Sequence, residues 1–181
     1  MPNLETTRLV LRPFVQDDLD ALAEIFADPR VMRYLPAGQG ISRERTQAAL
    51  TLYIESWETR GYGLNAVIDK ASQKMIGHCG LAQLDHTDEI ELAYGFAHSH
   101  WGQGFATEAA RACLAFGFEA LDLEQIVAIV VPENKASQRV LEKLGMQYVR
   151  DASFYHLNVR YFRLTQAEFR QNPLAGGQQI A

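Results

Sequence analysis

Two periodicities alternate along this chain of 181 residues. Apolar positions two apart mark strands, and apolar positions three or four apart mark helices. Residues 8–14 read as a first strand, with Leu9, Leu11 and Pro13 alternating with Arg8, Val10 and Arg12. The period then lengthens. Leu19, Leu22 and Ile25-Phe26 share one face of a helix over residues 18–27, with Asp17 placed to cap it. Asp28-Pro29 interrupts, residues 31–35 add one turn, and Ala37-Gly-Gln-Gly40 is a loop. Ser42 caps a second helix that runs to Arg60, with Ala49, Leu50, Tyr53, Ile54 and Trp57 as its buried stripe and Gly61 as its stop.

The period of two returns in residues 63–68 and 75–84, joined by the polar turn 69–74 as a hairpin, and again in residues 89–97. Phe105, Ala109, Ala112, Cys113 and Phe116 then mark a helix. Gln125-Ile-Val-Ala-Ile-Val-Val131 is nearly continuous and β-branched, as expected of a parallel strand covered on both faces. Strand, helix and strand make a right-handed crossover. Pro132 stops the run. Asn134 caps a helix with Ala136, Val140, Leu141 and Leu144 inside, and Gly145 closes it. Residues 146–149 and 154–164 read as a final hairpin. The Gly/Gln-rich tail from Gln171 reads as flexible or docked on a neighbour.

Composition narrows the function classes. The mass of 20.3 kDa suits one domain, taken as residues 1–170 with 171–181 as a tail. A net charge of −5 argues against nucleic acid as a partner, because phosphate-backbone binding needs a basic face. It leaves room for a phosphorylated small molecule, which needs only a local group of amides. No apolar run suits a membrane span, and the first residues lack the apolar core of a signal peptide, so a cytoplasmic protein without a membrane partner is expected. Cys79 and Cys113 lie in apolar elements and read as buried free thiols.

The candidate chemistry centres on residues 91–109. Leu92, Tyr94 and Phe96 end a strand, a helix opens at Phe105, and Trp101-Gly-Gln-Gly104 joins them. Two glycines one residue apart admit positive φ and a close backbone approach. The following amides are the unpaired donors of a helix start, reinforced by its dipole, so the stretch describes an anion site. It is not a P-loop, since no Gly-Lys-Ser/Thr follows. It is not a dinucleotide fingerprint either, since Thr107 stands where the third glycine belongs. His98-Ser-His100 lacks a third ligand nearby, and no metal is expected. Glu108 and Arg111 read as an exposed helix pair.

Trp101-Gly-x-Gly-x-Ala-Thr-Glu-Ala109 resembles motif A of the GNAT (GCN5-related) N-acetyltransferases, in the form found in the RimJ/RimL-like branch. Gly104 and Ala106 match the last two fixed positions, while Trp101 stands where Arg or Gln is usual. Asn134-x-x-Ser-x-x-x-Leu-Glu-Lys-Leu-Gly145 resembles the family's motif B. Leu4-Glu-Thr-Thr-Arg-Leu-Val-Leu-Arg-Pro13 and Ile76-Gly-His-Cys-Gly-Leu81 are similar to its opening and its third strand. The resemblance spans about residues 4–165. It implies an α+β fold in α/β/α layers: a mixed, mostly antiparallel sheet of about seven strands, a splayed parallel pair formed by the fourth and fifth, and about four helices.

It also implies transfer of an acetyl group from acetyl-CoA, as co-substrate, to a primary amine of a protein N-terminus or a small molecule. A non-catalytic acyl-CoA sensor on the same fold is the alternative. A nucleotide-binding regulatory domain is a third reading. By the resemblance, Trp101, Gly102, Gln103, Gly104, Phe105, Ala106 and Thr107 form the pyrophosphate nest. Phe96 and Ala97 pair with pantetheine, helped by a bulge at Gly95 unless that glycine only accommodates packing, and Asn134 adds its side-chain amide to its capping role. Glu91, on the face opposite Leu92 and Tyr94, is the candidate base, with Glu89 in reserve. Ser137 is the candidate partner of the leaving sulfur, because Leu141 stands where a tyrosine is common. Tyr34, with Arg33 and the loop 37–40, lies where the acceptor binds. A monomer or a homodimer fits the chain equally.

Overall fold

A computed structural model describes residues 3–171. They form one eight-stranded sheet in the order β1-β2-β3-β4-β5-β6-β8-β7, with six α-helices. The strands are β1 (Leu4–Glu5), β2 (Leu9–Pro13), β3 (Leu64–Asp69), β4 (Met75–Gln83), β5 (Ile90–Phe96), β6 (Gln125–Val130), β7 (Gln147–Phe154) and β8 (Leu157–Thr165). The helices are α1 (Leu19–Ala27), α2 (Pro29–Met32), α3 (Arg43–Arg60), α4 (Phe105–Ala115), α5 (Lys135–Lys143) and α6 (Gln166–Gln171). The expected parallel pair is therefore β5 and β6, counted one higher because the two-residue β1 extends the edge beyond β2. All other pairings are antiparallel. No helix among the described residues is long and apolar enough to cross a membrane. Residues 172–181 of the expected tail lie outside the described residues.

The sheet has two apolar faces because its strands alternate. Leu81, Leu92, Phe96, Ile126, Ala128 and Val130 face one way and pack with Phe105, Ala109, Ala110, Cys113 and Leu114 of α4 and Leu141 of α5. Leu64, Ala66 and Ala93 face the other way and meet α1, α2 and Leu50 of α3. The α3 limits match the sequence reading. Ser42 Oγ accepts the Arg45 N–H, and Gly61 closes the helix in the left-handed region at φ 74°.

Three local expectations change. Asp17 does not cap α1. A short 3-10 turn over Gln16–Asp18 precedes the helix, and the Asp18 carboxylate accepts the Val15 N–H at 2.9 Å while pairing with Arg12 at 2.7 Å. The final hairpin turns later than expected, at Tyr155-His156, both at positive φ (51° and 62°) between Phe154 and Leu157. Its polar run Arg150-Asp151 continues the strand because β7 lies at the exposed edge of the sheet.

Gly95 makes no bulge. The β4–β5 register runs without a shift from Gly77↔Phe96 to Gln83↔Ile90. Its missing Cβ instead makes room for His78, whose Cε1 would lie 2.6 Å from it. His78 is buried, edge-on to Phe26 and stacked on Tyr53. Burial lowers its pKa to about 4, so the imidazole stays neutral. Gly95→Ala is expected to cost about 1–3 kcal/mol by overpacking, read from urea denaturation. Adding His78→Ala should return part of that loss.

Candidate active site

The parallel pair forms the centre of the site. Among the described residues, β5 and β6 share one register position, Glu91↔Val127, although β5 continues to Phe96 and β6 to Val130. Beyond that bridge the strands part. The Ala97 N–H donates to Ile76 O, so odd-numbered residues of β5 bond toward β4, and Tyr94 and Phe96 direct their backbone groups toward the gap. Ala97 does not fit the expected pantetheine role, since its N–H is held by Ile76 and its carbonyl takes the His100 N–H. The Phe96 carbonyl takes the Trp101 indole N–H at 2.8 Å, which ties the following loop to the strand end.

Gly102 and Gly104 both lie at positive φ, 74° and 83°. Gly104 is the N-cap of α4, and among the described residues no side chain caps that end. The first helical bond runs from the Glu108 N–H to Gly104 O, leaving the amides of Phe105, Ala106 and Thr107 outside the helix ladder. A Cβ on Gly102 would meet nothing within 4 Å, and one on Gly104 would meet only Arg8 Nη2 at 3.5 Å. The backbone at Gly102 and Gly104 is therefore open to close approach just before the uncapped donors, with the Arg8 guanidinium beside Gly104, which fits a phosphate-bearing ligand.

Arg8 is a residue that sequence reading missed here. Its Nη1 donates to Gln103 O at 3.0 Å, its Nε and Nη2 pair with Glu108 Oε2 at 2.7 Å, and its guanidinium lies over the Phe105 ring. Glu108 also accepts the Thr6 hydroxyl and the Arg8 N–H, so it is not part of an exposed pair with Arg111. This network braces the Gly loop from the first strands. Glu108→Ala would take the carboxylate from the Arg8 guanidinium and its 2.6 Å acceptor from the Thr6 hydroxyl, and is expected to cost about 1–3 kcal/mol of stability, measured by chemical denaturation.

Glu91 is buried at 7% exposure, and its Oε1 accepts the Tyr155 hydroxyl at 3.0 Å. Desolvation raises its pKa to about 7, outweighing the Tyr155 hydrogen bond, which acts the other way. It shares a face with Val127 and Ala93 and lies opposite Tyr94. Tyr155 comes from the tip of the β7–β8 hairpin, 64 residues away, so the contact depends on that register. Glu89, the reserve, is engaged with the Tyr161 hydroxyl at 2.6 Å and Gln125 Nε2 at 3.4 Å.

On the other face, Asn134 Oδ1 caps α5 by accepting the Ser137 N–H at 3.1 Å. Ser137 Oγ lies 2.8 Å from the Tyr94 hydroxyl. Leu141 is fully buried and carries no polar group to the site. Tyr34 is half-buried under the Arg33 guanidinium, 4.7 Å from its ring centroid, just after α2. His98 packs on the Trp101 ring and His100 on Phe105. Cys79 and Cys113 are buried free thiols 3.6 Å apart.

A family profile for the acetyltransferase (GNAT) domain matches residues 8–147. The uncharacterized protein YkkB of Bacillus subtilis (strain 168) is 39% identical over 153 residues, covering 80% of this chain and 85% of that protein. The uncharacterized N-acetyltransferase p20 of Bacillus licheniformis is 33% identical over 152 residues, covering 81% and 83%. The crystal structure of an acetyltransferase from Agrobacterium tumefaciens str. C58 superposes with a TM-score of 0.80 at 28% identity, over 91% of this chain and 94% of that one.

Proposed function

We propose, from the premise that this chain belongs to the GNAT acetyltransferase family and is an acetyl-CoA-dependent N-acyltransferase, a specific division of labour across the β5–β6 gap. The amides of Gly102 to Thr107 hold the CoA pyrophosphate, and the cleft-facing backbone of Tyr94 and Phe96 lines the pantetheine path. Glu91 takes the proton of a primary amine, and Ser137 hydrogen-bonds the departing sulfur.

The observation that carries this reading is that, among the described residues, Glu91 sits at the single β5–β6 pairing while Ser137 meets Tyr94, three residues along β5, on the opposite face of the sheet. Glu91 shares its face with Ala93, which packs in the cluster formed with α1–α3, and Ser137 meets Tyr94 on the α4–α5 face. A thioester reaching the gap from the α4 side presents its carbonyl to an amine arriving from the Glu91 side. As the nitrogen attacks, its proton passes to Glu91, directly or through one water. The carbon–sulfur bond then breaks, its electron pair goes to sulfur, and the Ser137 hydrogen bond steadies the thiolate.

The raised pKa of Glu91 bears on the acceptor. A base near 7 is well matched to an α-amine of pKa about 7.7–8.0 and poorly to a lysine amine near 10.4. The acceptor class proposed is therefore a peptide or protein N-terminus, or a small amine of similarly low pKa.

Calorimetric titration with acetyl-CoA, followed by thiol release over a panel of N-terminal peptides and small amines, tests the reading. Micromolar binding and release on low-pKa amines is expected. Binding with no release on any amine would remove the catalytic assignments, and absence of binding would remove the loop assignment.

A further inference from the structure

We propose that Tyr94 is a positioning residue for the leaving thiolate: its hydroxyl, 2.8 Å from Ser137 Oγ, turns the Ser137 hydrogen toward the sulfur. The proposal rests on the reading of Ser137 above.

A serine hydroxyl is a free rotor with one hydrogen and two lone pairs. Left alone, it points its hydrogen at any nearby acceptor, and much of its value to a developing negative charge is lost to reorganisation. Ser137 is not left alone. Its N–H is held by Asn134 Oδ1 at 3.1 Å, which fixes the first turn of α5. Its Oγ faces the phenol of Tyr94, carried on β5 across the gap from the helix.

Two hydrogen arrangements are open to the pair. In one, Tyr94 donates to Ser137 Oγ, and the Ser137 hydrogen is free to point into the gap. In the other, Ser137 donates to Tyr94, and the phenol hydrogen turns to Ser137 O at 3.4 Å, a long contact. The 2.8 Å contact is common to both, and the phenol's alternative acceptor is the distant one, so an incoming sulfur that accepts from Ser137 selects the first arrangement. The resulting chain, phenol to hydroxyl to sulfur, polarises in one direction, so each link strengthens the next.

The phenol keeps its proton throughout. Desolvation raises the Tyr94 pKa, and among the described residues no cation faces it, so an ionised phenol is disfavoured. The balance closes without it: the amine proton goes to Glu91, the carbon–sulfur electrons stay on sulfur, and Ser137 and Tyr94 give hydrogen bonds only. Leu141, at the helix position where a tyrosine is common, leaves α5 without a phenol of its own. Tyr94 supplies one from the opposite wall. It also stands three residues beyond Glu91, about 10 Å along the strand and on the other face, so one strand carries groups serving both ends of the reaction.

The test needs no acceptor. The thiol of bound CoA is titrated by its ultraviolet thiolate absorbance in the wild type, Tyr94→Phe, Ser137→Ala and the double variant, with calorimetry confirming saturation. In the wild type the midpoint should lie below the free thiol value of about 8.5. Each single change should raise it by about one unit, and the double variant should raise it no further than either alone. Phe preserves the ring and its packing, and Ser137→Thr, which keeps a hydroxyl, should retain the wild-type midpoint. If Ser137→Ala raises the midpoint and Tyr94→Phe does not, or if the two shifts add, Tyr94 does not act through Ser137 and the inference is overturned. If Ser137→Ala is itself silent, the reading of Ser137 fails and takes this one with it. Absence of CoA binding would instead overturn the loop assignment.

Discussion

Glu91→Gln is expected to lower kcat by about 100-fold or more, the scale of a lost general base, with the acetyl-CoA KM within about twofold of the wild type. The amide matches the carboxylate in size and still accepts the Tyr155 hydroxyl, so the pocket is preserved while the base is removed. The pH–rate profile carries the sharper signature. A base with a pKa of about 7 gives kcat/KM an acidic limb near that pH, and in the variant only the limb of the amine itself should remain. A variant that kept the limb near 7 would remove Glu91 from the reaction.

The same burial has a consequence for stability with a definite sign. The carboxyl has a folded pKa of about 7 against an ordinary value of 4.5, so between those values the folded protein holds a proton that the unfolded chain has released. Stability from this group is fully present below about pH 4.5, declines as pH rises, and is gone above about pH 7. Removing the charge reverses that decline. Glu91→Gln should therefore be more stable than the wild type at pH 8, by about 3 kcal/mol, and about equal to it near pH 4. Urea denaturation at the two pH values measures the difference. A carboxylate held in a desolvated site destabilises its own fold once it is charged.

Gly104→Val is expected to weaken CoA binding at least about 100-fold, or about 2.7 kcal/mol, while circular dichroism stays that of the wild type. At φ 83° a β-branched residue is strained by about 1–3 kcal/mol. Its side chain would also occupy the space beside Gly104 that borders Arg8 Nη2, next to the uncapped amides. The strain falls on a surface loop outside the core clusters, so it should shift the loop rather than unfold the protein. Calorimetry with acetyl-CoA gives the readout. Wild-type affinity in a folded variant would mean that the pyrophosphate binds elsewhere.

Hydrophobic order along the chain is enough to identify most elements, because helix and strand periods depend on neighbours within one or two turns. The limits of α3, the cap at Asn134 and the two glycines before α4 are local events of this kind, satisfied by residues three or four positions away. The final hairpin was not legible. A two-residue turn with both φ positive normally draws Asn or Gly, and here Tyr155-His156 adopts it under the demand of the β7–β8 register. Glu108 was misplaced for a related reason. Its spacing to Arg111 suggested a helix pair, but Arg8 and Thr6, about 100 residues away, take both of its oxygens.

Most elements and the Gly-x-Gly loop are therefore properties of local pattern, and the resemblance of the two motifs adds the family, the layer order and Glu91 and Ser137 as candidates. The working state of those groups is not such a property. Glu91 reaches a pKa of about 7 because the packed chain around it excludes water, and the Tyr155 hydrogen bond opposes that rise without cancelling it. Ser137 meets a phenol because β5 and β6 part after a single pairing and bring Tyr94 across the gap. The amides of α4 stay uncapped because its N-cap is Gly104, which has no side-chain acceptor, while Arg8 braces the loop by donating to Gln103 O. Each of these depends on groups distant in sequence meeting in a desolvated space. Desolvation and long-range pairing are set by the packed chain, and no periodicity along it encodes them.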